Sequence, residues 1–488
     1  MAVYLVALPL IAAAAALLAP SDRRRPWLLP LGSGAHLYLV LEVLRGPTPS
    51  AGANDWLVID PLGKVFLLTL SVLHFLCMLY APGYLALRPE RPNRVLCMCL
   101  MLSLSMMSLV VVSRHLGLMW VAVEATTLAT APSIYFNHNP RSLEATWKYL
   151  LICSVGIALA LLGSLFLAYS ALHADLKTTL LFEDLVSEAP GLSLPWLRAA
   201  FVLLFVGYGT KMGLAPMHTW KPDAYGEAPG LVGALLAGGV TACSFFAILR
   251  AYHVTAAAGE GEFARRIMVF MGLLSMATAA VFMIRQGDFK RLLAYSSVEH
   301  MGILVLGVGL GGKMGILASL LHVINNAMTK GVLFLSAGNI HRAYGSRLAR
   351  DVHGAIRGMP LSGPLFLAGF LASCGSPPFS PFVSEFSVLI AALAGGRYVV
   401  AALFLLAMLA VFVGMGLTVQ AVVFGKPSHP ASEVPFPDGF STGAPIVGFM
   451  AIVLLLGVYI PQPLAALLDD AVAFLQGGVY TASGLLRH

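Results

Sequence analysis

Apolar runs of membrane-spanning length, separated by short polar stretches, recur from one end of the chain to the other. Crossing the hydrocarbon as a helix takes roughly 20 predominantly apolar residues, so each run predicts a membrane helix. The runs begin near Ala2, Trp27, Gly63, Arg94, Leu116, Thr146, Arg198, Ala228, Arg265, Leu293, Met314, Leu361, Arg397 and Gly443, about fourteen crossings in all. They lack the apolar–polar alternation of strands in a transmembrane barrel. The pattern predicts an all-α, polytopic membrane bundle.

The ends of the chain refine this picture. The first run has no basic residues ahead of it, and its Arg23-Arg24-Arg25 cluster follows it; it reads as a retained membrane helix rather than a cleaved leader. After Tyr459 the tail is less hydrophobic and carries Asp469 and Asp470, which predicts an amphipathic interfacial helix. The Pro-rich stretch 426–439 predicts a non-helical surface crossing.

Composition agrees with a bilayer protein. Of 488 residues, 58% are hydrophobic and 11% charged, with a mean hydropathy of +0.84, more apolar surface than a water-soluble fold of this size can bury. More than half of the 30 Lys and Arg residues fall on one set of alternate loops, among them Arg23, Arg24, Arg25, Arg141, Lys221 and Lys290. That bias predicts a cytoplasmic face there and an N-terminus outside, in a bacterial or archaeal cytoplasmic membrane. The net charge of +7 therefore reports topology and not a nucleic-acid partner. All six cysteines lie in apolar stretches and read as small packing residues. With no phosphate loop, haem-attachment motif or Fe–S ligand series, the chain is expected to hold no redox cofactor or metal of its own.

Ionisable residues inside the apolar runs carry the chemistry. A charge at mid-bilayer costs about 2.5–3.5 kcal/mol on insertion scales, so such residues mark ion paths or partners. MWVAVEATTLAT places Glu124 in the fifth run. GTKMGLAPMHTWKPD places Lys211 in the seventh, which Pro216 then interrupts. HVINNAMTKGVLF sets His322, Asn326 and Lys330 at i, i+4 and i+8 on one face of the eleventh. Glu385 follows the interruption CGSPPFSPFVSEF in the twelfth, and Glu299 and His300 sit near the opening of the tenth. Lysine suits a relay because desolvation weakens its hold on a proton while a nearby carboxylate strengthens it. Glu124, Lys211, His322, Lys330 and Glu385 are the candidate proton path. Glu144, His218, Asp223, Glu299, His300 and Asn326 are secondary candidates. The default for His218 and His300 is a satisfied interfacial histidine, and for Asp288, Lys290 and Arg291 a solvated charge cluster.

The motifs KMGLAPMHTWKPDAYGEAP (211–229), GDFKRLLAYSSVEHMGIL (287–304), HVINNAMTKGVLFLSAG (322–338) and CGSPPFSPFVSEF (374–386) resemble the antiporter-like proton-channel subunits shared by respiratory complex I, Mrp-type cation/proton antiporters and membrane-bound energy-converting hydrogenases. AYSSVEHMG and PPFSPFVSEF look most like the hydrogenase-4 or formate-hydrogenlyase branch. The resemblance implies a fourteen-helix core, with helices seven and twelve broken. Two inverted five-helix repeats would occupy 94–252 and 265–424, flanked by helices at 1–93 and 443–488. It matches Glu124, Lys211, Lys330, His322 and Glu385 to the family's charged positions. Two departures stand out: Asn326 replaces a histidine of some relatives, and the eighth run, LVGALLAGGVTACSFFAILR, lacks the Lys or His that many members carry there.

The expectation is a proton-translocating membrane subunit of a redox complex. Ni–Fe, Fe–S or flavin groups would reside in partner subunits, both membrane and peripheral. Alternatives are a Na⁺/H⁺ antiporter subunit, a non-pumping scaffold for a redox arm, and a subunit for proton-coupled uptake of a solute such as inorganic carbon. In the relay reading Pro216 opens a wet break at mid-membrane that Lys211 uses for proton loading.

Overall fold

The computed structural model describes residues 1–46, 56–176, 179–426, 436 and 438–477. Most of the Pro-rich stretch expected as a surface crossing and the last residues of the tail lie outside them. The described chain is a helical bundle. Its helices are α1 (Ala2–Leu18), α2 (Leu28–Arg45), α3 (Pro61–Ala86), α4 (Arg94–Val112), α5 (Leu116–Ile134), α6 (Pro140–Leu172), α7 (Leu194–Met212), α8 (Trp220–Glu227), α9 (Gly230–Leu235) and α10 (Thr241–Thr255). They continue with α11 (Gly261–Met283), α12 (Phe289–Leu310), α13 (Gly312–Tyr344), α14 (Ser362–Ser373), α15 (Ser380–Ala394), α16 (Tyr398–Val423), α17 (Phe440–Val458) and α18 (Gln462–Leu475).

Among the described residues, nine helical stretches are long and apolar enough to cross a membrane, and three apolar helices, α1, α14 and α15, are shorter. The seventh and twelfth runs are each interrupted, giving α7 and α8 and then α14 and α15. The eighth and ninth runs, residues 230–255 and 261–283, are separate helices that meet at a non-helical Gly259 with a φ of +82°.

The bundle reverses the soluble pattern. Lys211, Glu299 and Lys330 are 0% exposed, whereas Leu151, Val281 and Val399 are 62–74% exposed. Hydrocarbon is as apolar as a leucine side chain, so outward leucines cost nothing and the polar groups gather inside. Small residues let backbones approach where the charges are held. On α6 and α7 a Cβ at Gly207 would lie 2.6 Å from both Ala160 N and Gly156 O. That close crossing brings Tyr149 of α6 against Lys211 of α7.

Helix starts also place chemistry. Asp288 caps α12, its carboxylate accepting from the N–H groups of Lys290 at 2.9 Å and Arg291 at 3.1 Å, a preferred N-cap arrangement. The helix thus starts at Phe289 rather than near Leu293, and Glu299 and His300 fall at its middle instead of near its opening. At the other end of the chain, α18 buries Leu467, Leu468, Ala471, Val472 and Leu475, the one-sided pattern expected of the tail.

Gly207→Leu should force α6 and α7 apart at a cost of about 1–3 kcal/mol or more. A lower melting temperature of the detergent-solubilised complex, without loss of stability in Gly448→Leu, is the expected result; Gly448 has only a Leu76 methyl nearby, at 3.4 Å.

Candidate functional site

The inner polar groups form two clusters. In the first, Glu124 on α5 accepts from Ser154 Oγ at 2.7 Å and from Thr127 Oγ1 at 3.2 Å. Lys211 Nζ donates to the same Thr127 hydroxyl at 2.5 Å and to Tyr149 Oη at 2.9 Å. Among the described residues no direct ion pair joins Glu124 to Lys211; Thr127 stands between, accepting from the ammonium and donating to the carboxylate. A hydroxyl can do both at once, so this is a one-hydroxyl relay. Lys211 is fully buried and Glu124 only partly so.

The second cluster joins α12, α13, α14 and α15. Lys330 Nζ donates to Ser296 Oγ at 2.6 Å and to Ser373 Oγ at 3.3 Å, and the two hydroxyls are 3.0 Å apart. Ser373 meets His300 Nε2 at 2.9 Å, His300 Nδ1 meets His322 Nε2 at 2.9 Å, and His322 Nδ1 meets Ser384 Oγ at 2.9 Å. Asn325 donates to Ser384 at 3.0 Å and holds it in place. Glu385 Oε1 lies 4.0 Å from His300 Nδ1. Every member is at most 4% exposed. Neutral imidazoles and hydroxyls each donate and accept, so the series from Lys330 to Ser384 can pass a proton by successive exchange.

Two buried carboxylates flank this series. Neither oxygen of Glu299, and neither of Glu385, has a hydrogen-bond partner among the described residues. Ionised carboxylates without partners in a low-dielectric interior are very costly, so a bound proton, a cation or water is needed to keep them there. One ligand atom from each of His300, His322 and Glu385 lies within 4.8 Å of the others. A cation could be held there, although the imidazoles already spend their facing nitrogens on each other.

The structure corrects several sequence expectations. His300 is no interfacial histidine: it sits at 0% exposure in the middle of the hydrogen-bonded series, because α12 begins four residues earlier than its apolar run suggests. The expected stripe holds for His322 and Lys330, but Asn326 turns the other way and donates to the Ala237 carbonyl at 3.3 Å, inside the π-helical turn Leu236–Val240 that separates α9 from α10. At the break after Lys211, Trp220 Nε1 donates to the Thr210 carbonyl at 2.9 Å, and Ala215 N to Ser275 Oγ at 3.0 Å. Of Asp288, Lys290 and Arg291 only Arg291 is solvated, at 42% exposed. Asp288 and Lys290 are buried, Arg347 joins Asp288 at 2.7 Å and Glu227 at 2.7 Å, and Lys290 Nζ donates to the Ala228 carbonyl at 2.6 Å.

The remaining candidates lie apart from the inner series. Glu144 is 64% exposed and paired with Lys148 at 2.6 Å. Asp223 joins Lys148 at 2.9 Å and Arg291 at 2.6 Å. Both line a charged vestibule of about 1000 Å³, as do Lys290 and Arg347. His218 sits in the break, its ring 6.1 Å from those of Phe282 and Tyr295. Sequence reasoning missed Lys221, placed among the loop lysines yet 0% exposed, and the linking hydroxyls of Thr127, Tyr149, Ser296, Ser373 and Ser384. Serines and threonines are common in membrane helices, so no local signal singles these out. Lys221 follows the proline break in a polar stretch that reads as a loop until the short helix α8 is seen to fold back into the bundle.

Comparison with known proteins agrees with this architecture. Residues 113–411 match the family described as NADH:quinone oxidoreductase/Mrp antiporter, TM. The hydrogenase-4 component F homolog of Methylacidiphilum infernorum is 33% identical over 417 residues, covering 84% of this chain and 86% of that protein. NADH-quinone oxidoreductase subunit N of Desulforudis audaxviator is 30% identical over 419 residues, 84% of this chain and 82% of its own length. Among solved structures, a chain of respiratory complex I from Thermus thermophilus superposes with a TM-score of 0.83 at 26% identity, over 98% of this chain and all of that one. The chain belongs to the NADH:quinone oxidoreductase/Mrp antiporter membrane-subunit family.

Proposed function

We propose that this chain is the proton-translocating membrane subunit of a multi-subunit redox complex of the hydrogenase or complex I type, and that electron transfer in partner subunits drives it. The observation that carries the reading is the buried series from Lys330 through Ser296, Ser373, His300 and His322 to Ser384, each step a hydrogen bond of 3.0 Å or less. Glu385 flanks its middle, 4.0 Å from His300. A purely structural core gains nothing from placing exchangeable protons in line, and buried polar groups are costly unless fully matched. The chemistry favours H⁺ over Na⁺ as cargo. Na⁺ needs several oxygen ligands, whereas the groups from Lys211 to Ser384 are chiefly amines, imidazoles and single hydroxyls. The same feature argues against a non-pumping scaffold, and nothing in the inner clusters favours the solute-uptake alternative.

In this reading Glu124, Lys211, His322, Lys330 and Glu385 carry protons. His300 joins them as a full member of the series. Glu144 and Asp223 act at the vestibule, which opens among loops carrying Arg91, Arg141 and Arg347. The basic bias of those loops supports a cytoplasmic vestibule and an N-terminus outside, in a bacterial or archaeal cytoplasmic membrane. Redox cofactors belong to the partners, and this chain contributes none.

Vesicles containing the assembled complex test the reading, with proton uptake and redox turnover followed together. Lys211→Ala and Lys330→Ala are each expected to lower proton uptake per electron at least tenfold while the complex remains assembled; unchanged uptake in both makes the lysines structural and sinks the reading. The links between them are tested separately. His300→Phe keeps the ring volume but removes both nitrogens, and Thr127→Val keeps the shape but removes the hydroxyl between Lys211 and Glu124. Each should slow proton transfer severalfold or more, with His300→Gln closer to wild type than His300→Phe.

A further inference from the structure

The two clusters do not touch. The first ends at Lys211 and Tyr149 and the second begins at Lys330, and the eighth run, packed between the halves of the bundle, carries no basic or acidic side chain from Leu231 to Leu249. One titratable side chain does reach into the gap. Lys221 is the second residue of α8 and is fully buried. Its Nζ donates to Ser297 Oγ at 3.0 Å. Ser297 is the chain neighbour of Ser296, which takes a hydrogen bond from Lys330. On the other side, an aromatic wall links the two lysines of the seventh run. Lys211 Nζ lies 4.8 Å from the Tyr149 ring, Tyr149 packs on Trp220 at 5.0 Å, Trp220 on Tyr225 at 5.8 Å, and the Tyr225 ring lies 5.8 Å from Lys221 Nζ.

The break in the seventh run is what makes room. Gly213 ends α7 with a φ of +80°, and a Cβ there would lie 2.2 Å from Lys221 Cε and 2.5 Å from its Cδ. The stem of Lys221 therefore runs across the break, over the one residue type that leaves space for it. A break that serves only to bend the chain does not need a lysine laid through it. Burying an ammonium in a bundle that supplies one hydroxyl as its hydrogen-bond partner is expensive, which marks the position as one with a use.

We infer that Lys221 is the proton carrier between the two halves, receiving from the Lys211 cluster and delivering to Lys330, the two amines being held by consecutive residues of α12, Ser297 and Ser296. The inference rests on the proton-translocating reading above. In the delivery step an N–H bond of the Lys221 ammonium breaks and an N–H bond forms on the neutral Lys330 amine; the charge moves with the proton and no electrons are transferred. The two amines are held by adjacent serines on one helix, Lys221 by Ser297 and Lys330 by Ser296. Two ammonium charges in one low-dielectric interior repel, so the pair favours one proton shared between two sites, the condition for handing it on. The four-carbon stem of lysine can move its head between hydrogen-bond partners, and its lodging against a glycine leaves that motion free of a side chain.

The test separates carrying a proton from merely filling space or holding a charge. Proton uptake and redox turnover are measured on vesicles of the assembled complex bearing Lys221→Met, Lys221→Arg or Lys221→His, beside Lys211→Ala and Lys330→Ala. Methionine keeps the volume without a proton. Arginine keeps the charge but does not release its proton, and histidine can bind and release one. The expected result is a loss of at least tenfold in proton uptake per electron for the Met and Arg variants, with partial recovery in the His variant and assembly retained in all three. If Lys221→Met transfers protons normally while Lys211→Ala and Lys330→Ala do not, the carrier role is overturned and the translocation reading stands. If Arg restores full uptake, Lys221 is a fixed charge and not a carrier. If none of the five variants loses uptake, the translocation reading itself fails, and this inference with it. Should Lys221→Met not assemble, the contrast between Arg and His alone decides the matter.

Discussion

The cost of a charge in hydrocarbon governs the arrangement of this bundle. An ammonium or carboxylate at mid-membrane is tolerated only where hydrogen bonds or opposite charges replace its water. Here those replacements come mostly as neutral hydroxyls and imidazoles. Lys211 rests on a threonine and a tyrosine, Lys330 on two serines, and Lys221 on one serine. Such partners soften burial without fixing the proton. A direct lysine–glutamate ion pair would have held the charge in place, and a fixed charge does not conduct. The close crossing of α6 and α7, the capped start of α12 and the breaks before α8 and α15 all bring these partners within 3 Å or so of an amine.

How much of this could be read from the sequence depends on contrast. Lys211, Lys330 and Glu385 announce themselves because each interrupts an apolar run, and the bilayer makes that interruption meaningful. The all-helical membrane fold and the breaks in the seventh and twelfth runs follow from run length, proline and glycine in the same way. His300 was visible but misplaced. Its position along the helix depends on where the helix starts, and Asp288, a cap inside a charged stretch, moved that start four residues back from the apolar boundary.

Lys221 was hidden by the opposite circumstance. In HTWKPDAYGE it has polar neighbours and no apolar background to stand out from. Only the tertiary fold, in which α8 returns into the bundle and Trp220 plugs the Thr210 carbonyl, turns a loop-like lysine into a buried one. The hydroxyls were illegible for a further reason. Ser296, Ser297, Ser373 and Ser384 are recruited by position across three helices, and a serine's role in a membrane helix is decided by what faces it, which no local pattern encodes.

The two clusters differ in a way that bears on coupling. The series from Lys330 to Ser384 is buried throughout, and hydroxyls and imidazoles in line conduct equally well in either sense, so this half cannot by itself choose a direction. The choice has to enter where the proton path meets something that changes with redox turnover. Glu124 is the only one of the five sequence-chosen path residues that is partly exposed, and it communicates with Lys211 through a single hydroxyl. A neighbouring subunit placed against α5 and α6 would alter the surroundings of that carboxylate first. A carboxylate that loses its solvation or gains a cation changes how strongly it holds the Lys211 proton through Thr127. On the proposed relay reading, the first cluster is the one open to its surroundings and the second is enclosed, with Lys221 laid through the break between them.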